Sequence, residues 1–342
     1  MKKRYLVLEN GKVFEGKAFG ADAGVTGELV FNTGAVGYIE LLTDPGYLGQ
    51  IVVQTFPAIG NYGIIPEDFE SNYGPSGYVV REWCDEPSNF RSEGTVDSFL
   101  KEKGIPGIYG VDTREITRII RNEGVMNACI CDKLPADEKS IKKYKIKDAV
   151  KTVSVKKPYV IPAGSHKYNV TLIDYGAKSS IAKQLTERGC LVRIVPYSSS
   201  ASDILRDRPD GVVLSNGPGD PSENTSEIKE IKELIGKVPI FAIGLGHQLL
   251  AIANGAKTSR LKYGHRGANQ PIKDVKAGSA FIAGQNHGYV VDDASIKKGS
   301  VSYFNLNDGT CEGIDYDGAF SVQFDPEGPV YDRFIDMMGG GR

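Results

Sequence analysis

Residues 240–248 read IFAIGLGHQ and indicate a strand, a tight turn and a helix in immediate succession. The apolar run at 240–243 is typical of a buried strand, residues 244–246 form the turn, and a helix is predicted from His247. This is the pattern of a nucleophile elbow, a turn that holds one Ser or Cys in a strained conformation with its side chain exposed. Gly244 stands at the central position and has no side chain to present. The turn is therefore expected without its nucleophile.

The chain around this turn alternates predicted strands and helices from about Asn169 onward. VTLIDYG, CLVRIVPY, GVVLSNGPGDP and VPIFAIG are predicted strands with their following turns, and SSIAKQLTERG, SASDILRDRP, SENTSEIKEIKELIGK and LGHQLLAIANGA are predicted helices. Repeated strand–helix units imply a mostly parallel sheet covered by helices on both faces. Ligands bind such sheets at the carboxyl ends of the strands. The turns NGPGDP and GLGHQ both lie there, so a site is predicted at that edge.

The first part of the chain has a different pattern, rich in short strands and punctuated by glycine. YLVLENGKVFEG, ELVFNTGAVGY, QIVVQTF, SGYVV and GIYGVD are its predicted strands. One helix is predicted after Asp112, because DTREITRIIRNEG carries a capping box of Asp112 with Glu115 and ends at Gly124.

The segment 132–168 is rich in lysine and shows little periodicity. Aromatic residues are sparse there and acidic residues are interleaved, which favours a solvated connection over a nucleic-acid surface. We therefore divide the chain into a domain at 1–150, a linker at 151–168 and a second domain at 169–342.

Composition excludes several classes of partner. A length of 342 residues suggests roughly two domains. Hydrophobic content of 40%, charged content of 25% and a net charge of -2 are those of an ordinary soluble protein, with no indication of a nucleic-acid or membrane partner. The five cysteines form no CxxC pair and have no His spaced for zinc, so no metal site is expected and a reducing cytoplasm is favoured.

Several of these motifs together carry a family resemblance. LSNGPGDP, GLGHQLLAIANGA, KYGHRGANQP and QNHGYVVD resemble the class I glutamine amidotransferase domain of carbamoyl-phosphate synthetase small subunits. GELVFNTGAVGYIELLTDPGYLGQIVVQTFPAIGNYG and GIYGVDTREITRIIR resemble the N-terminal domain of the same subunits. The resemblance covers nearly the whole chain. It implies an α/β fold, with a strand-rich small-subunit domain followed by an amidotransferase-like domain with a mostly parallel sheet.

The resemblance also implies a reaction and a partner. In the family a Cys at the elbow attacks glutamine, a later His acts as base, and a Glu two residues on orients that His. The ammonia passes to a large subunit, which makes carbamoyl phosphate, a precursor of arginine and pyrimidines. ATP and Mg²⁺ would belong to that large subunit, and no cofactor is expected in this chain.

The family's catalytic positions have changed in this chain. Gly244 replaces the Cys, and in QFDPE Asp325 stands at the His position while Glu327 remains. Phe324 replaces a Gly, and Gly46 replaces a Ser that contacts glutamine in the family. Since Gly adopts elbow angles freely, Cys→Gly is expected to keep the turn and delete the chemistry. The triad is predicted to be inactive.

Other positions of the family's glutamine pocket survive and are compatible with a glutamine-sized cavity. Gly46 and Phe324 nevertheless predict weak binding of glutamine or an analogue. The matching positions are Gly217, Gly219, Leu245, Gln248, Asn286, Gly288 and Tyr289.

Three hypotheses remain open at this stage. The first is a degenerate small subunit that docks on a large subunit as a structural or regulatory partner. The second is a working glutamine-hydrolysing subunit with a displaced nucleophile, although no Cys lies near the elbow and the last His is His287. The third is a free-standing, non-catalytic binding module. New acid–base chemistry by Asp325 and Glu327 is disfavoured, because two close carboxylates without a metal mainly repel.

Overall fold

The computed structural model describes residues 2–134, 136, 138–162 and 164–339. The chain forms two compact units, one of residues 1–147 with 262–267, the other of residues 148–261 with 268–342. The division differs from the predicted one in the segment 262–267, which the sequence placed in the second domain. In the first unit Lys262 accepts a hydrogen bond from the Val125 amide at 2.8 Å. Tyr263 packs on Phe31 with ring centroids 5.9 Å apart.

The first unit is built on a closed barrel of seven strands in the order β1-β2-β8-β6-β4-β3-β9. Strands β3, β4, β6 and β8 are parallel neighbours, and the other pairings are antiparallel. The strands of the unit are β1 Lys3–Leu8, β2 Val13–Gly20, β3 Val25–Asn32, β4 Gln50–Gln54, β5 Ala58–Ile59, β6 Gly77–Val80, β7 Glu82–Trp83, β8 Pro106–Tyr109 and β9 Met126–Cys131. Strands β5 and β7 lie outside the barrel and form a separate parallel pair. Its helices are α1 Tyr38–Leu42, α2 Val96–Glu102, α3 Thr113–Glu123 and α4 Glu138–Lys143.

Helix α3 confirms the predicted N-cap at Asp112, which forms one of the two hydrogen bonds of a capping box. The Asp112 carboxylate accepts a hydrogen bond from the Glu115 amide at 2.9 Å. Gly124 ends the helix with φ 97°, and the isoleucines of one face are buried. They share a core cluster with residues of β1, β3, β4, β6, β8 and β9. Because these strands lie around the whole barrel, this cluster is its interior.

The second unit is a sheet of ten strands in the order β10-β12-β11-β13-β14-β19-β18-β16-β15-β17. Strands β12, β11, β13, β14 and β19 are parallel neighbours, and the half beyond β19 is antiparallel. Its strands are β10 Tyr159–Ile161, β11 Tyr168–Asp174, β12 Cys190–Pro196, β13 Gly211–Leu214, β14 Ile240–Ile243, β15 Lys257–Asp274, β16 Ala280–Asp292, β17 Ser300–Asn305, β18 Cys311–Tyr316 and β19 Ala319–Val322. Its helices are α5 Ala149–Val153, α6 Ser179–Glu187, α7 Ala201–Arg206, α8 Thr225–Leu234, α9 Leu245–Ala253 and α10 Gly328–Gly339.

The central strands of this sheet are buried on both faces. Val212 and Leu214 of β13 belong to one hydrophobic cluster, and Val213 between them belongs to another. Successive side chains of a strand point to opposite faces. The two clusters therefore lie on opposite faces of the sheet, as the strand–helix pattern predicted. In the part of the chain that the structure describes, no helix has both the length and the apolar character to cross a membrane.

The predicted linker at 151–168 is wrong as a description of much of that segment. Helix α5 reaches Val153, and β10 pairs antiparallel with β12, with Val160 opposite Arg193. The Ser154 hydroxyl also accepts a hydrogen bond from the Tyr197 amide at 3.0 Å. These elements were missed because five- and three-residue elements are too short to show a period.

Candidate active site

The predicted site lies at the carboxyl ends of four neighbouring parallel strands, β11, β13, β14 and β19. The segments that follow them are 175–178, 215–219, the turn at Gly244 and 323–327. All four belong to the second unit. Parallel pairing brings these segments to the same edge of the sheet, which is where open α/β sheets bind ligands.

The turn at Gly244 has the shape of an elbow. Gly244 has φ 56° and ψ −112° and is the N-cap of α9. Its amide donates to the Val322 carbonyl at 2.9 Å, which ties the turn to the end of β19. Helix α9 begins at Leu245, within the predicted turn at 244–246. A residue with a Cβ pays about 1–3 kcal/mol to hold such angles, whereas Gly holds them freely.

The space at the elbow is narrow but not closed. A Cβ built on Gly244 would lie 3.2 Å from the Asn216 Cβ, and the residue itself is partly accessible. At Gly217 a Cβ would lie 2.3 Å from the Tyr175 carbonyl oxygen, so only glycine permits that approach of the two segments. Gly219 adopts φ 95° in the same turn. A side chain at Gly244 would therefore meet tight contact with one neighbour, Asn216, whereas one at Gly217 would clash with backbone.

An ion pair forms at Asp325, the residue that the resemblance places at the position of the family's base. The Asp325 carboxylate accepts hydrogen bonds from Lys178 Nζ at 2.8 and 2.9 Å. The Asp325 amide donates to the Gly284 carbonyl at 2.9 Å, which fixes the segment after β19. Lys178, the N-cap of α6, was missed by the sequence analysis. No local pattern could indicate it, because the two residues are 147 positions apart.

Glu327, the remaining member of the family triad, does not act as an orienting group in this structure. Its side chain is exposed, and its carbonyl accepts from the Val330 amide at the start of α10 at 3.0 Å. Asp325 is engaged by Lys178 instead. The two acids therefore do not form the acid–base pair that the sequence analysis also disfavoured.

Phe324, which the resemblance places at a glycine position of the family, packs into the core. The side chain is 1% exposed and belongs to the cluster that contains Ile243. Its ring lies 5.4 Å from that of Phe281 and 5.3 Å from that of Tyr303. An apolar ring gains more from this burial than from the polar edge of the sheet.

The pocket residues of α9 and β16 that were predicted from the family differ in burial: those of α9 are buried and those of β16 are partly buried. Gln248 is buried, and its amide donates to the Tyr289 carbonyl at 2.8 Å and to the Gln323 side chain at 2.7 Å. Its amide nitrogen therefore braces α9 against β16 and the end of β19. Asn286, Gly288 and Tyr289 are only partly buried along β16, and Leu245 is buried in the first turn of α9.

Gly46 belongs to the first unit. It lies in a single turn of 3₁₀ helix at Pro45–Tyr47, where its amide donates to the Asp44 carboxylate at 2.7 Å. The position has no hydroxyl to offer a ligand.

Two of the described histidines near the site, His247 and His287, are buried and contact neighbouring groups of the second unit. His247 is buried, and its Nδ1 lies 2.8 Å from the Ser321 hydroxyl. Burial lowers the pKa of His247 to about 3, so the ring is neutral at physiological pH. The His287 ring contacts the Tyr289 carbonyl at 2.8 Å and the Gln285 side chain at 3.0 Å. Both rings are held by the protein interior.

The thiols of this unit offer no substitute nucleophile. Cys190 and Cys311 are buried, and burial raises their pKa values to about 11 and about 12. A nucleophilic thiol needs the opposite, an accessible position and a lowered pKa.

The sequence matches two family descriptions in the order of the two units. Residues 6–130 match "Carbamoyl-phosphate synthase small chain, CPSase domain", and residues 171–330 match "Glutamine amidotransferase class-I". A carbamoyl phosphate synthase small chain of Oceanobacillus iheyensis is 47% identical over 356 residues, covering 99% of this chain and 96% of that protein. The chain belongs to the carbamoyl-phosphate synthase small chain family.

Two further relatives show the same extent of similarity. A carbamoyl phosphate synthase pyrimidine-specific small chain of Halalkalibacterium halodurans is 47% identical, covering 98% of this chain and 97% of that protein. A small chain of Bacillus thuringiensis subsp. konkukian is 48% identical, covering 98% of this chain and 96% of that protein. Within this family the chain combines a preserved elbow with Gly244 at its centre and an ion pair at Asp325.

Proposed function

We propose that this small chain has lost glutaminase activity and serves as a structural or regulatory partner of a carbamoyl-phosphate synthetase large subunit. The observation that carries the proposal is Gly244 at the centre of an intact elbow. A complex containing this chain would then draw on free ammonia.

Amide hydrolysis by a thiol requires a nucleophile, a base and oxyanion donors in one place. The chain keeps the backbone of the elbow, where the Leu245 amide opens α9. It offers neither of the other two groups, because Gly244 has no side chain and Asp325 is paired with Lys178. The buried thiols and the neutral His247 cannot replace them. Loss of glutaminase is the conclusion that these positions support best.

The N-terminal unit supports the docking half of the proposal. Residues 6–130 match a domain specific to these small chains, and the barrel they form is complete. A chain that had left the synthetase would have no need of this unit. ATP and Mg²⁺ would bind to the large subunit, and the product would enter pyrimidine or arginine synthesis in the cytoplasm.

Two other functions stay as alternatives. An active subunit with a displaced nucleophile would release ammonia from glutamine, and a free-standing module would bind a ligand such as glutamine without a large subunit. The buried thiols argue against the first. The presence of both family domains in one chain argues against the second.

The deciding experiment is glutamine hydrolysis by the purified chain, with and without the large subunit from the same source. We expect ammonia release at the background rate in both cases, because loss of a triad nucleophile costs about 10⁶-fold in turnover in a well-studied protease. Ammonia release that saturates with glutamine and is stopped by a glutamine-analogue alkylator would contradict the proposal. An active small chain from a related synthetase, assayed with the same large subunit, serves as the positive control.

A further inference from the structure

Lys178 connects three of the four segments at the carboxyl edge of the sheet. It lies in the segment after β11, and its amide donates to the Asn216 side chain, after β13, at 3.1 Å. Its ammonium group reaches Asp325, after β19. Asn216 is also the residue nearest to a side chain placed at Gly244. Lys178 thus links Asn216, which lies next to the elbow, to Asp325.

The partial burial of this ion pair strengthens the effect of its charges on neighbouring groups. The Lys178 side chain is 14% exposed and that of Asp325 is 45% exposed. A charge at a partly buried position interacts with its neighbours more strongly than one in free solvent. An uncompensated carboxylate beside the elbow would disfavour any other negative charge there, including a thiolate.

We propose that Lys178 is a positioning residue whose ammonium group neutralises Asp325, so that this ion pair takes the electrostatic place of the nucleophile and base of active relatives. It explains how an acid is accommodated at the position of a histidine. The same contacts hold the segments after β11, β13 and β19 together at the edge of the sheet. The inference concerns the charge at the vestigial site and holds whether or not the chain docks on a large subunit.

A thiol introduced at Gly244 can report this charge. Gly244 is partly accessible, so a small alkylating reagent can reach a side chain there. Only the thiolate reacts, so the pH at which alkylation by iodoacetamide is half-maximal reports the pKa of the introduced thiol, provided that peptide mass spectrometry separates residue 244 from the native cysteines. The reference is Gly244→Cys in the full-length chain, with Lys178 and Asp325 both present.

Breaking the pair from either side should shift this midpoint in opposite directions. With Asp325→Asn added, the Lys178 ammonium remains and favours the thiolate, so the midpoint falls. With Lys178→Met added instead, the Asp325 carboxylate remains and the midpoint rises. We expect roughly a three- to tenfold change in the alkylation rate at pH 7 in each case, since tenfold corresponds to one pKa unit. The variant with both changes should return to the reference, and 1 M salt should shrink both shifts.

Two controls separate charge from structure. Lys178→Arg keeps the positive charge and should leave the midpoint unchanged. Asp332→Asn breaks a different ion pair, in which Arg188 Nε lies 2.7 Å from Asp332 Oδ1 and joins the far end of α6 to α10. The Arg188 and Asp332 side chains are 19% and 63% exposed, similar to those of Lys178 and Asp325. It should also leave the midpoint unchanged.

Midpoints that move in the same direction when either partner of the Lys178–Asp325 pair is removed, or that do not move in either variant, would overturn the inference. Should Lys178→Met fail to fold, Asp325→Asn and Lys178→Arg decide it.

Discussion

At the scale of single residues, the conformation of Gly244 and its missing side chain have separate consequences. The backbone angles are those of a strained elbow, and glycine removes the strain together with the chemistry. The sequence could predict this, because the strand, the turn and the helix are contiguous. It could not predict the Lys178–Asp325 pair, whose members are far apart in the chain. It also could not predict where the Phe324 side chain lies, because the direction of a side chain after a strand end depends on tertiary packing.

Replacing Gly244 with Ala measures the free energy that a residue with a Cβ loses by adopting the elbow angles. We expect Gly244→Ala to lower the free energy of unfolding by about 1–3 kcal/mol, because Ala must hold a positive φ. The added Cβ would also press on Asn216 at 3.2 Å. Urea unfolding followed by circular dichroism measures the change. Gly164→Ala is the matched control, since Gly164 is exposed with no atom within 4 Å of its added Cβ. Equal stability of the two variants would show that the elbow is not strained.

At the scale of elements, local signals decided which helices could be predicted from the sequence. Helix α3 spans eleven residues and carries both a cap and a buried stripe, so its start and end were predicted. Helix α5 and strand β10, with five and three residues, carry neither signal strongly enough. Strand β10 owes its place to pairing with β12, which no local pattern reveals. The parallel half of the second sheet was predictable because its strands and helices alternate over many residues.

The cap of α3 offers a measurable test of this local reasoning. Asp112→Ala should lower the free energy of unfolding of the first unit by about 1 kcal/mol, because the Glu115 amide loses its acceptor. Asp112→Asn keeps a side-chain oxygen and should cost only a few tenths of a kcal/mol. Both variants are compared by urea unfolding and by hydrogen exchange at the first turn of α3. If Asn and Ala weaken the helix equally, the side-chain cap does not stabilise it.

At the scale of the whole molecule, the substitutions that the resemblance implies lie at positions that bind or hydrolyse glutamine in the family. The first unit keeps its barrel and its family match, and the second keeps its sheet and its elbow. The positions at which the resemblance implies a departure from the family pattern are Gly46, Gly244 and Asp325. Drift after complete loss of partnership should have eroded both units alike. This distribution favours a chain still selected for assembly with a large subunit.

Assembly can be tested with the full-length chain and the large subunit from the same source. We expect the two proteins to co-elute in gel filtration at micromolar concentration, because a stable interface of this kind buries more than about 1,200 Å² in total. The complex should make carbamoyl phosphate from ammonia, bicarbonate and ATP. It should make none from glutamine, because Gly244 supplies no nucleophile. The large subunit alone and a complex with an active small chain are the controls.

Two separate elution peaks, with ammonia-driven synthesis unchanged by this chain, would instead favour a free-standing binding module. Glutamine-driven synthesis by a co-eluting complex would preserve the docking half of the proposal and refute the loss of glutaminase.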